Sequence, residues 1–140
     1  MDIAAAIMGA GSFLLTYLLP FLFVLTVVVF VHELGHFLVG RWCGVDVKVF
    51  SIGFGREIFG FDDKHGTRWR FAMIPLGGYV KFSGDADASS APDNAEVSRM
   101  SEQDRARSFP AQSIGERAAI VAAGPIANFL LAIVMFAGTV

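Results

Sequence analysis

Residues 13–31 carry no charge, and neither do residues 118–140. A bilayer span needs about 20 consecutive apolar residues, so each run is long enough to cross, and lipid leaves a chain few ways to satisfy its backbone. Composition agrees. Of 140 residues 54% are hydrophobic and only 17% charged, with a mean hydropathy of +0.57. That balance is too apolar for an ordinary soluble domain. The net charge of −2 supplies no basic field, so nucleic acid is not an expected partner. A secretory signal peptide fits the first run poorly, because no Lys or Arg precedes it and because it is long. The sequence therefore predicts an α-helical membrane protein with two transmembrane helices and the lipid bilayer as a partner.

The basic residues orient it. All 11 Lys and Arg lie between Arg41 and Arg117, so the loop 41–117 is expected on the cytoplasmic side of a plasma membrane, with both chain ends across it. Cys43 is the only cysteine and leaves no internal disulfide to form. Residues 1–12 read as an ill-defined lead-in and 13–40 as the first transmembrane helix. Pro20 either kinks that helix or marks its first turn. From Val45 the pattern becomes alternating. In 67–73, Trp69, Phe71 and Met73 fall on one face and Arg68 and Arg70 on the other, which reads as strand. Turn signals at 62–66 and 75–78 then make 41–82 a small antiparallel sheet of hairpins. Ile52, Phe54, Ile58, Phe59 and Phe61 give it an unusually apolar edge. Residues 83–112 are polar and small, a flexible loop or marginal helix. Ser113 and Glu116 have capping-box spacing and open the second helix, 113–140, whose apolar run reaches Val140 without a polar exit.

Three polar groups interrupt the end of the first run, in "VFVHELGHFLVG" (29–40). His32 and His36 are four apart, so on a helix both project from one face and can grip one metal ion. Glu33 is offset around the helix, placed to take a proton from water and pass it to a departing amine. Zn²⁺ with an open position acidifies water, which makes zinc the expected cofactor and Glu33 the expected catalytic base. Ionisable groups within a span are costly and usually functional. Packing inside a helix bundle is the plainer reading. A closed structural zinc is another, with Cys43 and His65 as the further donors, but it gives Glu33 no task. Counted from Pro20, His32 lies roughly 18 Å along the helix, inside a hydrocarbon core about 30 Å thick. A substrate found at that depth is itself a transmembrane segment.

With these residues in view, the chain resembles the site-2 family of intramembrane zinc proteases, in its bacterial RseP-like branch. "VHELGHFLVGRWCGV", "FSIGFG", "IPLGGYVKF" and "IGERAAIVAAGPIANFLLA" carry the resemblance as ordered, separated blocks. It implies that His32 and His36 bind the catalytic zinc and that Glu33 is the base. It also implies a membrane-re-entrant β-hairpin around "SIGFG", with Gly53, Phe54 and Gly55 as substrate contacts or simply as a turn. Asn128, in "GPIAN", is placed near the catalytic centre or in an interhelical hydrogen bond. By the same resemblance the third zinc ligand is an aspartate of a Leu-Asp-Gly motif on a later helix, and PDZ-like domains lie across the membrane. These residues contain neither, so the 140-residue piece alone is expected to be inactive. The implied work is regulated intramembrane proteolysis in stress signalling at the bacterial inner membrane, on a substrate such as an anti-sigma factor. Two other readings compete: a non-catalytic scaffold binding partner helices through the hairpin, and a metalloprotease of another fold at the cytosolic membrane surface.

Overall fold

A computed structural model describes residues 3–140. Helix α1 (Ile3–Phe13) passes through a π-helical turn (Leu14–Leu18) into α2 (Leu19–Trp42). The expected lead-in is thus helical from Ile3, and residues 1 and 2 lie outside the described part. Pro20 does not break the helix but marks the first turn of α2, the second of the two expected alternatives. It sits just after the π-turn has shifted the hydrogen-bond ladder, where a missing N–H is tolerated. Because helical structure already runs from Ile3 into α2, a count from Pro20 does not by itself give a depth in a bilayer.

Strands β1 (Val47–Asp62) and β2 (Arg68–Phe82) pair antiparallel, with interruptions that fold each strand over. Phe50 is matched to Val80 on one side and to Trp69 on the other. In the second of these contacts Val49, Phe50, Ser51 and Ile52 face Arg68, Trp69, Arg70 and Phe71 with numbers rising together, so it runs parallel locally. Four segments lie side by side in the order 78–82, 47–52, 68–71, 57–62. Gly53 and Gly55, at φ 87° and 83°, supply the backbone for the bend. A Cβ on Gly53 would stand 2.8 Å from the Ile74 carbonyl oxygen.

The core lies where α2 meets this sheet. Phe50 stacks on Trp69 at 4.4 Å, and Phe37 meets both rings edge-on. Val45, Val47, Val80, Phe82, Phe109 and Ile120 complete it. The alternation around Trp69 holds only in part. Trp69 turns into the core, but Phe71 and Met73 are exposed: pairing is one-to-one from Trp69 to Phe71 and becomes irregular only beyond it, at Ala72. Phe54, Ile58, Phe59 and Phe61 are exposed along the bend and outer segment as expected, whereas Ile52 is buried.

The polar stretch after the sheet is more ordered than its composition suggests. It holds α3 (Asn94–Arg99), α4 (Glu102–Ala106) and a 3-10 turn (Phe109–Ala111). Asp93 and Ser101 cap the two short helices. Helix α5 (Ile114–Ala137) opens with the expected capping box: Glu116 N donates to Ser113 Oγ and Ser113 N to Glu116 Oε2. It then packs along α2 through small residues. A Cβ on Gly35 would stand 2.9 Å from Ala127 Cβ and strike the Ala123 carbonyl, so only glycine admits so close a contact.

Candidate metal centre

His32 and His36 stand on the face of α2 that meets α5, one helical turn apart, with ring centroids 4.8 Å apart and planes at 78°. Their partners come from α5. His36 Nδ1 lies 2.7 Å from the Ile120 carbonyl oxygen, and His32 Nδ1 lies 3.3 Å from the Asn128 side-chain amide. The opposite ring nitrogens converge. A Cβ placed on Gly124 would stand 2.8 Å from His32 Nε2 and overlap His36 Nε2. The missing side chain of Gly124 is the room in which the two nitrogens face each other.

That arrangement fits a metal ion. A backbone carbonyl can only accept, so His36 carries its proton on Nδ1 and presents the Nε2 lone pair to the shared space. This is the usual support for a metal-binding histidine. Among the described residues, no three His, Cys, Asp or Glu side chains converge closely enough to hold an ion by themselves. Cys43 terminates α2 and His65 lies in the hairpin turn, so neither joins the imidazole pair.

Glu33 faces two openings. One cavity of about 260 Å³ is lined by Glu33 and His36, by Tyr79 and Val80 on the sheet edge, and by Ser89 and Ser90 of the following loop. The other, about 240 Å³, is lined by His32, Glu33, Phe54, Gly77, Gly78 and Asn128. Glu33 and Gly78 belong to both. The carboxylate therefore stands where a path along the outer edge of segment 76–82 passes the imidazoles. Gly78 permits this approach, since a Cβ there would stand 2.9 Å from Val29 Cγ1 and 3.5 Å from Glu33 Cγ.

The structure thus brings His32, Glu33, His36, Asn128 and Phe54 to one place. Gly53 and Gly55 shape the bend and do not line either cavity. Gly124, Gly78 and the loop at 88–90 are additions that sequence reasoning missed. The paired glycines of "PLGG" and the glycine of "GPIAN" were visible, but nothing local says what they approach.

Residues 20–140 match Peptidase family M50. The chain belongs to this family, the site-2 proteases. It is 58% identical to a provisionally named zinc metalloprotease of Agrobacterium fabrum, over 94% of this chain and 35% of that one. Against a similarly named protein of Mesorhizobium japonicum it is 62% identical, over 85% of this chain and 33% of the other. With the metalloprotease MmpA of Caulobacter vibrioides it shares 47% identity, over 88% of this chain and 33% of that one. The chain spans about a third of the length of these relatives.

Proposed function

We propose that this chain supplies the zinc-binding helix and the general base of an intramembrane endopeptidase. One observation carries the reading: two Nε2 atoms converge above Gly124 while Glu33 lines both cavities beside them. His32 and His36 hold the ion, and a third ligand comes from outside residues 1–140. Zinc so held supplies acidified water and a polarised carbonyl. Glu33 takes the proton of the attacking water and delivers it to the leaving amine. The membrane setting is supported by α1 to α2 and α5, two helical stretches long and apolar enough to cross. Phe21, Phe23, Phe129, Ile133 and Phe136 all point outward. In water each such side chain forgoes about 1.5–3 kcal/mol of burial, whereas lipid removes that penalty. The stretch Ile7–Trp42 is about 54 Å long at 1.5 Å per residue, longer than the hydrocarbon core, so part of it tilts or emerges.

A transmembrane segment of another membrane protein, such as an anti-sigma factor, is the substrate this setting favours. Unwound, it lies along segment 76–82 as an added strand, with backbone hydrogen bonds holding the scissile bond past Glu33. Phe54, Leu76 and Val29 give that path apolar lining, and Asn128 shares the cavity with them. The loop 41–117 is cytoplasmic in this reading, as its basic residues direct. Glu33→Gln in the full-length protein tests it. Cleavage of a membrane-bound substrate should fall by at least three orders of magnitude while zinc stays bound. Unchanged cleavage overturns the proposal and leaves the hairpin as a binding scaffold.

A further inference from the structure

The two histidines are supported unequally. His36 is held by a backbone carbonyl, which has no choice of role. His32 is held by the Asn128 amide, which can turn either its oxygen or its nitrogen to the ring. With nitrogen toward the ring, His32 Nδ1 must accept, the ring proton moves to Nε2, and that proton points at the space His36 Nε2 also faces. In the same orientation Asn128 Oδ1 is a buried acceptor with no donor among the described residues. Turned the other way, the amide presents that oxygen to His32 Nδ1 instead. Only the orientation with oxygen toward the ring leaves both Nε2 lone pairs free.

We infer that Asn128 is a positioning residue: its Oδ1 accepts the Nδ1 proton of His32 and so fixes the tautomer in which Nε2 can bind metal. The inference rests on the zinc reading above. It assigns Asn128 to the metal rather than to helix packing, and it explains why a strongly polar side chain sits in an otherwise apolar run of α5.

Zinc affinity of the full-length protein, measured by chelator competition in detergent, tests this without reference to activity. Asn128→Ala should weaken zinc binding by about 10–100-fold, the usual cost of losing such a support. Asn128→Asp keeps an oxygen acceptor at either rotation and should restore affinity to within a few-fold of wild type. Both variants should unfold in excess chelator at the wild-type temperature. Wild-type zinc affinity in Asn128→Ala overturns the inference, as does equal impairment of the Ala and Asp variants, which would assign Asn128 to interhelical packing. His32→Ala and His36→Ala run in parallel. If they keep full zinc affinity the metal site itself is wrong, which separates that failure from a failure of the Asn128 role.

Discussion

The polar groups at the hairpin turn and those between α2 and α5 are both held partly away from water, yet they are finished differently. At the turn, Asp63 Oδ1 accepts from the backbone amides of His65 and Thr67, and Oδ2 from Arg41 and Trp69 Nε1. Thr67 closes the network by accepting from Arg41 and donating to the Val47 carbonyl. Arg41 also lies over the Phe37 ring at 4.4 Å. Between the helices, in contrast, the imidazoles aim their second nitrogens into a gap, and one amide atom has no partner. A satisfied polar network locks a fold, whereas groups left pointing at empty space await a ligand. The glycine contacts divide the same way. Gly35 faces the Ala123 backbone, which cannot yield, while Gly124 faces the ends of two imidazoles, which can.

The sharpest way to break this contrast is Gly124→Ala set against Gly35→Ala. The first should leave the fold intact but displace both rings, weakening zinc binding on the order of 100-fold by chelator competition. The second should separate the helices and lower thermal stability by about 2 kcal/mol. If Gly124→Ala binds zinc normally, the gap is not the metal's place.

Asp63→Ala should come next, destabilising the protein by about 2 kcal/mol because Arg41 and two backbone amides lose their acceptor. Limited proteolysis of the turn measures it. Burial works to raise the Asp63 carboxyl, but the bonds from Trp69, Thr67, Arg41 and His65 outweigh it and hold the group well below the usual carboxylate range. Its stabilisation is therefore present above the unfolded value of 3.8 and is lost as pH falls through the lower folded one.

Asp85 should show the opposite sign. It is fully buried beneath the loop that lines the first cavity, and burial pushes it up to about 6 against the hydrogen bond from Phe82 N. The unfolded chain then loses its proton first, so stability should fall as pH rises from 3.8 to about 6 and stay level above. Asp85→Asn should flatten that limb and raise stability at neutral pH by about 1–2 kcal/mol. Thermal unfolding at pH 4.5 and 7.5 reads both effects. The smallest change is expected from Glu57→Gln. It removes a partly exposed pair with Arg68, 2.8 Å long, and should cost under about 0.5 kcal/mol, less in high salt.

Much of the site was legible because it is local. Histidines four apart, a neighbouring carboxylate and a Ser-x-x-Glu cap declare themselves within one or two helical turns. Distant pairings did not. The double matching of Phe50 to Val80 and Trp69 needs contacts between segments remote in sequence, and the bend at Gly53 and Gly55 that creates it is not written in a two-residue rhythm. Phe71 and Met73 misled for a second reason: alternation separates two faces without saying which meets solvent, core or lipid. Ser89 and Ser90 look like linker by composition, and only the closure of their loop through Ala86 N and the Ala91 carbonyl brings them over Glu33.

The contact of Gly35 with Ala123 and Ala127 has a mechanical consequence. A joint made of backbone and methyl groups has no rotamers through which to relax, so the distance of Gly124 and Asn128 on α5 from the histidine face of α2 is as stiff as the helices themselves. The helical pair is thus a fixed frame on which the β-ribbon rests through α2.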